Sequence, residues 1–128
     1  MTRPSLFQTL SQVKKQVDYN DFAVESKHNP GQFYIEPLYN ELCLIIAEMY
    51  VTPPERLVRI RGQEMEAATV QEVYSALTHD HVELVADNFR QQTQLIRKKT
   101  AYLQTALYNV LFEFDSHFIN LVSHDLNC

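Results

Sequence analysis

The run LIRKKTAYLQTALYNVLFEF, from Leu95 to Phe114, decides the fold class. Ile96, Leu103, Ala106, Leu107, Val110, Leu111 and Phe114 recur at helical spacing, and neither Gly nor Pro interrupts them. At a rise of about 1.5 Å per residue such a run makes a rod of about 30 Å, long enough to cross a small domain. The expectation is a helical protein with shorter helices packed around this rod.

Downstream of the rod, Asp115 is placed to cap a last helix carrying Phe118, Ile119, Val122 and Leu126. Upstream, Arg90-Gln91-Gln92-Thr93-Gln94 interrupts the apolar stripe with polar residues, which predicts a break near Thr93. Before it, Val82, Val85, Ala86 and Phe89 form a helical face that starts at Thr78 or Asp80. Thr69-Val70-Gln71-Glu72 matches a capping box ahead of Val70, Val73, Tyr74 and Leu77. Arg56 to Ala67 alternates around Gly62 and reads as a β-hairpin, and it is the one strand signal in the chain.

Leu38, Leu42, Ile45, Ile46 and Met49, widened by Cys43, Leu44 and Tyr50, predict a deeply buried helix, with Pro37 in its first turn and Pro53-Pro54 ending it. His28-Asn29-Pro30-Gly31 is a strong turn signal, and a short helix capped by Asp18 is expected just before it, through Tyr19, Phe22 and Ala23. Leu6, Leu10 and Val13 mark one side of an N-terminal helix. The sum is a mainly α, compact domain of six or seven helices with one short β-hairpin at about residues 57–67. Residues 1–16 read as an extension or linker helix ahead of a helical module over 17–128.

At 128 residues the chain is one domain by length, and it should bury roughly two-thirds of its unfolded surface. Two glycines argue against a turn-rich sandwich or barrel. Cys43 and Cys128 form no disulfide framework and no zinc spacing, which fits a reducing cytoplasm. The N-terminus has no apolar signal-peptide core, and no apolar run approaches the roughly 20 residues that span a bilayer, so no membrane partner is expected. A net charge of -5 means that contact with nucleic acid would need a local basic patch.

Ile96-Arg97-Lys98-Lys99-Thr100-Ala101-Tyr102-Leu103-Gln104-Thr105-Ala106-Leu107-Tyr108-Asn109 resembles a segment of the C-terminal domain of replication initiator A proteins of Firmicutes plasmids and conjugative elements. In that family basic residues precede AYL and then TALYN. Other short matches follow in the same order: Val17-Asp18-Tyr19, Arg59-Ile60-Arg61-Gly62 with Glu64, His81-Val82-Glu83, Asn120-Leu121-Val122 and His124-Asp125. The resemblance covers about residues 17 to 126. It implies a DnaD-like helical module that couples an initiator to host replication proteins, the primase or helicase-loading machinery, downstream of a winged-helix domain that reads the origin. Val110-Leu111-Phe112 departs from the small residues and proline expected there. No winged-helix reader is present, so the chain is read as a fragment of an initiator or as a detached module.

Arg97, Lys98 and Lys99, with Arg90 about two turns earlier, are the only dense basic cluster. At the start of a helix these charges oppose the macrodipole, so an acidic partner or a phosphate backbone would offset them. Tyr102 and Tyr108 would be near enough to stack on a base, though six residues apart they cannot both face the core, and one is expected at the surface. A solvated helix face explains the same cluster. Arg56, Arg59 and Arg61 would make a basic wing on the hairpin, with Arg59 and Arg61 pointing the same way; charges that keep an edge strand soluble account for them equally.

His79-Asp80-His81 lacks metal-ligand spacing, as do His117 and His124, and capping explains the first group. His28 reads as loop polarity. No phosphate loop, nucleophile elbow or zinc-protease motif is present, so neither an enzyme nor a cofactor is expected. Three readings remain: a protein-interaction module, a nucleic-acid-binding module using Arg97 to Lys99 with Arg59 and Arg61, and a homodimerisation domain.

Overall fold

The computed structural model describes residues 4–92 and 94–126, with side chains as far as Glu113. Helix α1 (Leu6–Gln16) opens on a capping box, in which the Ser5 hydroxyl accepts the amide of Gln8 at 3.1 Å and the Gln8 side chain accepts the amide of Ser5 at 3.0 Å. A single 3-10 turn (Tyr19–Phe22) follows, then a short hairpin of β1 (Val24–Glu25) and β2 (Phe33–Tyr34), and α2 (Pro37–Val51). A second hairpin, β3 (Leu57–Ile60) and β4 (Gln63–Glu66), leads into α3 (Ala67–Ser75), α4 (His79–Arg90) and α5 (Lys99–Leu126). None of these helices is long and apolar enough to cross a membrane, among the described residues.

Among the described residues there are five α-helices rather than six or seven, and two hairpins rather than one. Three local causes account for the difference. Asp18 does not cap a following helix; it adopts a left-handed conformation, φ 52°, and so ends α1. Aspartate tolerates that geometry better than most residues, and the chain then turns away after one 3-10 turn. The predicted turn at His28 to Gly31 is real, but it joins two strands, with Val24 opposite Tyr34 and Glu25 opposite Phe33.

At the other end of the chain α5 runs unbroken past Asp115 to Leu126. Glu113-Phe114-Asp115-Ser116 contains neither Gly nor Pro, and a capping residue inside a continuing helix costs only a few tenths of a kcal/mol. The core face assigned to Phe118, Ile119, Val122 and Leu126 lies outside the described side chains.

Helix α3 starts before the expected box at Thr69, which falls within its first turn. The amides of Ala67 and Ala68 are taken by the carbonyls of Arg56 at 2.8 Å and Pro54 at 2.9 Å, so the strand approach to β3 replaces a side-chain cap. Thr78 does begin α4, and its amide donates to Nδ1 of His81 at 3.0 Å. The break before α5 occupies the connection after Arg90, but the long helix begins at Lys99 instead of Leu95. Leu95, counted with the rod, is 90% exposed.

The hub is α2. It is apolar nearly all round, burying Tyr39, Leu42, Cys43, Ile45, Ile46, Ala47 and Met49. Helices α1, α3, α4 and α5 all pack on it, while α5 packs on α2, α3, α4 and β3. The rod chosen from sequence is therefore one wall of the core, contributing Leu103, Leu107 and Val110. Val13 and Val17 bring the N-terminal helix into the same core. Burial drives the Cys43 thiol up to about 11, so it stays protonated and behaves as a small apolar side chain.

Two glutamines close helix ends from a distance. Gln16 Nε2 donates to the carbonyls of Tyr74 and Leu77 at the end of α3, each at 2.9 Å, and Tyr50 donates its hydroxyl to Gln16 Oε1 at 2.9 Å. Gln71 Nε2 does the same for α2, through the carbonyls of Met49 at 2.9 Å and Thr52 at 2.8 Å. These carbonyls would otherwise lack partners at helix ends.

The β3–β4 turn is Arg61-Gly62, with φ of 59° and 73°, the left-handed pair of a type I′ turn. A Cβ on Gly62 would meet nothing within 4 Å, so only backbone strain resists substitution there. Gly62→Ala is expected to lower stability by about 1 kcal/mol, read as a shift in the urea midpoint. An unchanged midpoint would mean that the turn changes type without cost.

Candidate interaction site

The connection between α4 and α5 carries most of the chain's clustered cations. Lys98 caps α5 through its carbonyl, which accepts the amide of Tyr102 at 2.9 Å. Arg97 and Lys98 are exposed and form no ion pair among the described residues. Their neighbours Arg90 and Lys99 are engaged. The Arg90 guanidinium donates to the Tyr39 hydroxyl at 2.9 Å and to Asp87 at 3.1 Å, and it faces Glu36 at 3.6 Å. Lys99 pairs with Glu41 at 2.9 Å and lies 5.3 Å from the centre of the Phe89 ring.

Both cations therefore fasten the ends of the connection to α2. At their exposure each ion pair contributes only about 0.2–1 kcal/mol. Burial raises the Tyr39 phenol above its ordinary range, partly opposed by Arg90, so the hydroxyl remains protonated as it accepts the guanidinium. Behind it Phe22 is stacked between Tyr39 and His79, with ring centres 4.0 Å and 4.1 Å away. His79 donates Nδ1 to the carbonyl of Val17 at 3.0 Å and sets Nε2 3.4 Å from Glu83. The His79-Asp80-His81 segment thus works as packing and cap. No group of three or more His, Cys, Asp or Glu side chains comes together among the described residues.

Tyr102 and Tyr108 depart from expectation, since neither is exposed. Tyr102 is half-buried against Phe89, ring centres 6.1 Å apart. Tyr108 is covered by Phe112 at 5.5 Å and by Arg61 at 5.4 Å. The hairpin arginines are separate from the connection. Arg61 donates Nε to Asn109 and its amide to Thr105 at 3.4 Å, which clamps the turn onto α5. It does not share a direction with Arg59, because it sits in the turn while Arg59 lies exposed on β3 opposite Glu64. Asn109 is some ten residues past Lys99, about 15 Å along the helix, so the two basic groups do not form one patch.

Sequence reasoning missed the apolar part of this corner. Leu38, Phe89, Leu95 and Ile96, together with Arg90, Gln92, Gln94 and Lys99, line a groove of about 440 Å³. Helical spacing alone places Leu95 and Ile96 on the rod, whereas the polar run before them, which keeps them off a continuous stripe, is the signal that separates them from it. A smaller cleft of about 170 Å³ between α4 and α5 is lined by Val85, Asn88, Tyr102, Thr105, Asn109 and Glu113.

Fold and site together define a small helical domain with a cationic, partly apolar corner. The chain belongs to the family of unknown function DUF6017, whose pattern matches residues 10–128. No curated protein and no solved structure matches it.

Proposed function

We propose that this chain is a non-enzymatic interaction module of a plasmid or mobile-element replication initiator, acting in the cytoplasm to couple the initiator to host primase or helicase-loading proteins. What supports the reading is the ordered series of short matches to replication initiator A proteins. The longest of these, Ile96 to Asn109, includes the exposed start of α5. A helical domain is also the kind of fold that the resemblance implies. The cations at the corner suit an acidic protein surface better than a base-stacking platform, because Tyr102 is packed on Phe89.

Retention of purified primase or helicase loader by the immobilised chain is the expected result. Replacing Arg97, Lys98 and Lys99 together by Ala should weaken it at least about tenfold, equivalent to about 1.4 kcal/mol. Failure to retain either protein would overturn the proposal. Binding of single-stranded DNA that falls steeply with salt would transfer the function to nucleic acid, since phosphate contacts release counterions. Salt-insensitive self-association would point instead to a homodimerisation role. A winged-helix domain encoded upstream in the same frame would be the simplest independent support.

A further inference from the structure

We infer that the groove at the α4–α5 corner docks an acidic segment of a partner protein that inserts apolar anchor residues; this deepens the coupling role proposed above and rests on it. Half of its lining is aliphatic or aromatic: Leu38, Phe89 and Ile96 are half-buried, and Leu95 beside them is 90% exposed, while Gln92, Gln94, Arg90 and Lys99 supply the polar part. A single exposed leucine is ordinary on a protein surface. Here it lines a groove with three other apolar side chains, which an inserted apolar side chain would contact together.

The charges choose the occupant. Glu36, Glu41 and Asp87 around the groove are each matched by Arg90 or Lys99. Arg97 and Lys98, next in sequence to the lining residues Ile96 and Lys99, form no ion pair among the described residues, so this corner presents two unpaired cations in a chain whose net charge is -5. A carboxylate-bearing segment is attracted to such a corner, whereas a second copy of the chain is repelled by the overall charge. A phosphate backbone would be attracted too, but it has no use for an aliphatic floor. Phe89 and Tyr102 lean on each other at 6.1 Å and are not free to receive bases. An amphipathic acidic helix or strand matches both features, placing its apolar anchors in the groove and its carboxylates on Arg97 and Lys98.

Selection of a phage-displayed random peptide library on the whole chain tests this. Enriched sequences are expected to combine Asp or Glu with Leu, Ile or Phe. A synthetic copy of one should lose at least about tenfold in affinity against Leu95→Ser, and again against the Arg97→Glu and Lys98→Glu double variant. These positions lie in the exposed connection, and an unchanged circular dichroism melt would exclude unfolding as the cause. Enrichment of basic or purely apolar peptides, equal binding to all variants, displacement by a single-stranded oligonucleotide, or no enrichment would each overturn the inference. If primase or helicase loader binds the Leu95→Ser chain as well as the parent, the groove fails and coupling stands. If acidic peptides bind the groove and neither host protein binds the chain, coupling fails and the groove stands.

Discussion

Tyr74→Ala is expected to lower unfolding stability by about 3–5 kcal/mol, and Tyr74→Phe by only about 0.5–1.5 kcal/mol, both from urea denaturation. Tyr74 is fully buried where α3 meets α5, and its hydroxyl donates to the carbonyl of Gln104 at 2.7 Å. Burial holds the phenol well above its ordinary range, so it remains a donor. Alanine removes the ring and leaves a cavity between two helices. Phenylalanine removes one neutral hydrogen bond and keeps the packing. Against the about 5–15 kcal/mol by which domains of this size are stable, the alanine loss is a large fraction of the total. Equal losses for the two substitutions would show that the hydroxyl, and not the ring, holds α3 to α5.

Gln16→Ala comes next, at about 1–3 kcal/mol, because the change strands polar groups at a helix end. The carbonyls of Tyr74 and Leu77 lose their donor, and the Tyr50 hydroxyl loses its acceptor. A double-mutant cycle with Tyr50→Phe should show a coupling of about 0.5–1.5 kcal/mol, since the two side chains share one bond. Additive losses would mean that water replaces the glutamine without penalty. Full recovery in Gln16→Leu would assign its contribution to packing alone.

Patterns with a local physical cause were legible in the chain. The continuous apolar surface of α2, the left-handed turn at Gly62 and the polar interruption after Arg90 each follow from residues within a few positions of one another. Errors arose where a local signal had two uses. Asp18 serves as well to end a helix as to begin one, and Thr69 lost its capping role because Arg56 and Pro54 had already supplied acceptors from another segment. The candidate site divides in the same way. Arg90 and the run Arg97 to Lys99 could be seen as cations, but which of them remained unpaired depended on Glu36, Tyr39 and Glu41, some fifty to sixty positions away. No periodicity reports such partners. The apolar groove was hidden for a related reason, because its floor is assembled from α2, α4 and the connection.

The glutamine caps also bear on how the chain acquires its structure. Gln16 closes the end of α3 across 58 and 61 positions, so that end has its partners only after the first helix and the middle of the chain have met. The ends of α2 and α3 are thus completed by residues those helices cannot supply themselves, and a fragment lacking α1 should fray at Tyr74 to Leu77. Hydrogen exchange in the intact chain should accordingly report the amides of α1 and the end of α3 opening as one cooperative unit.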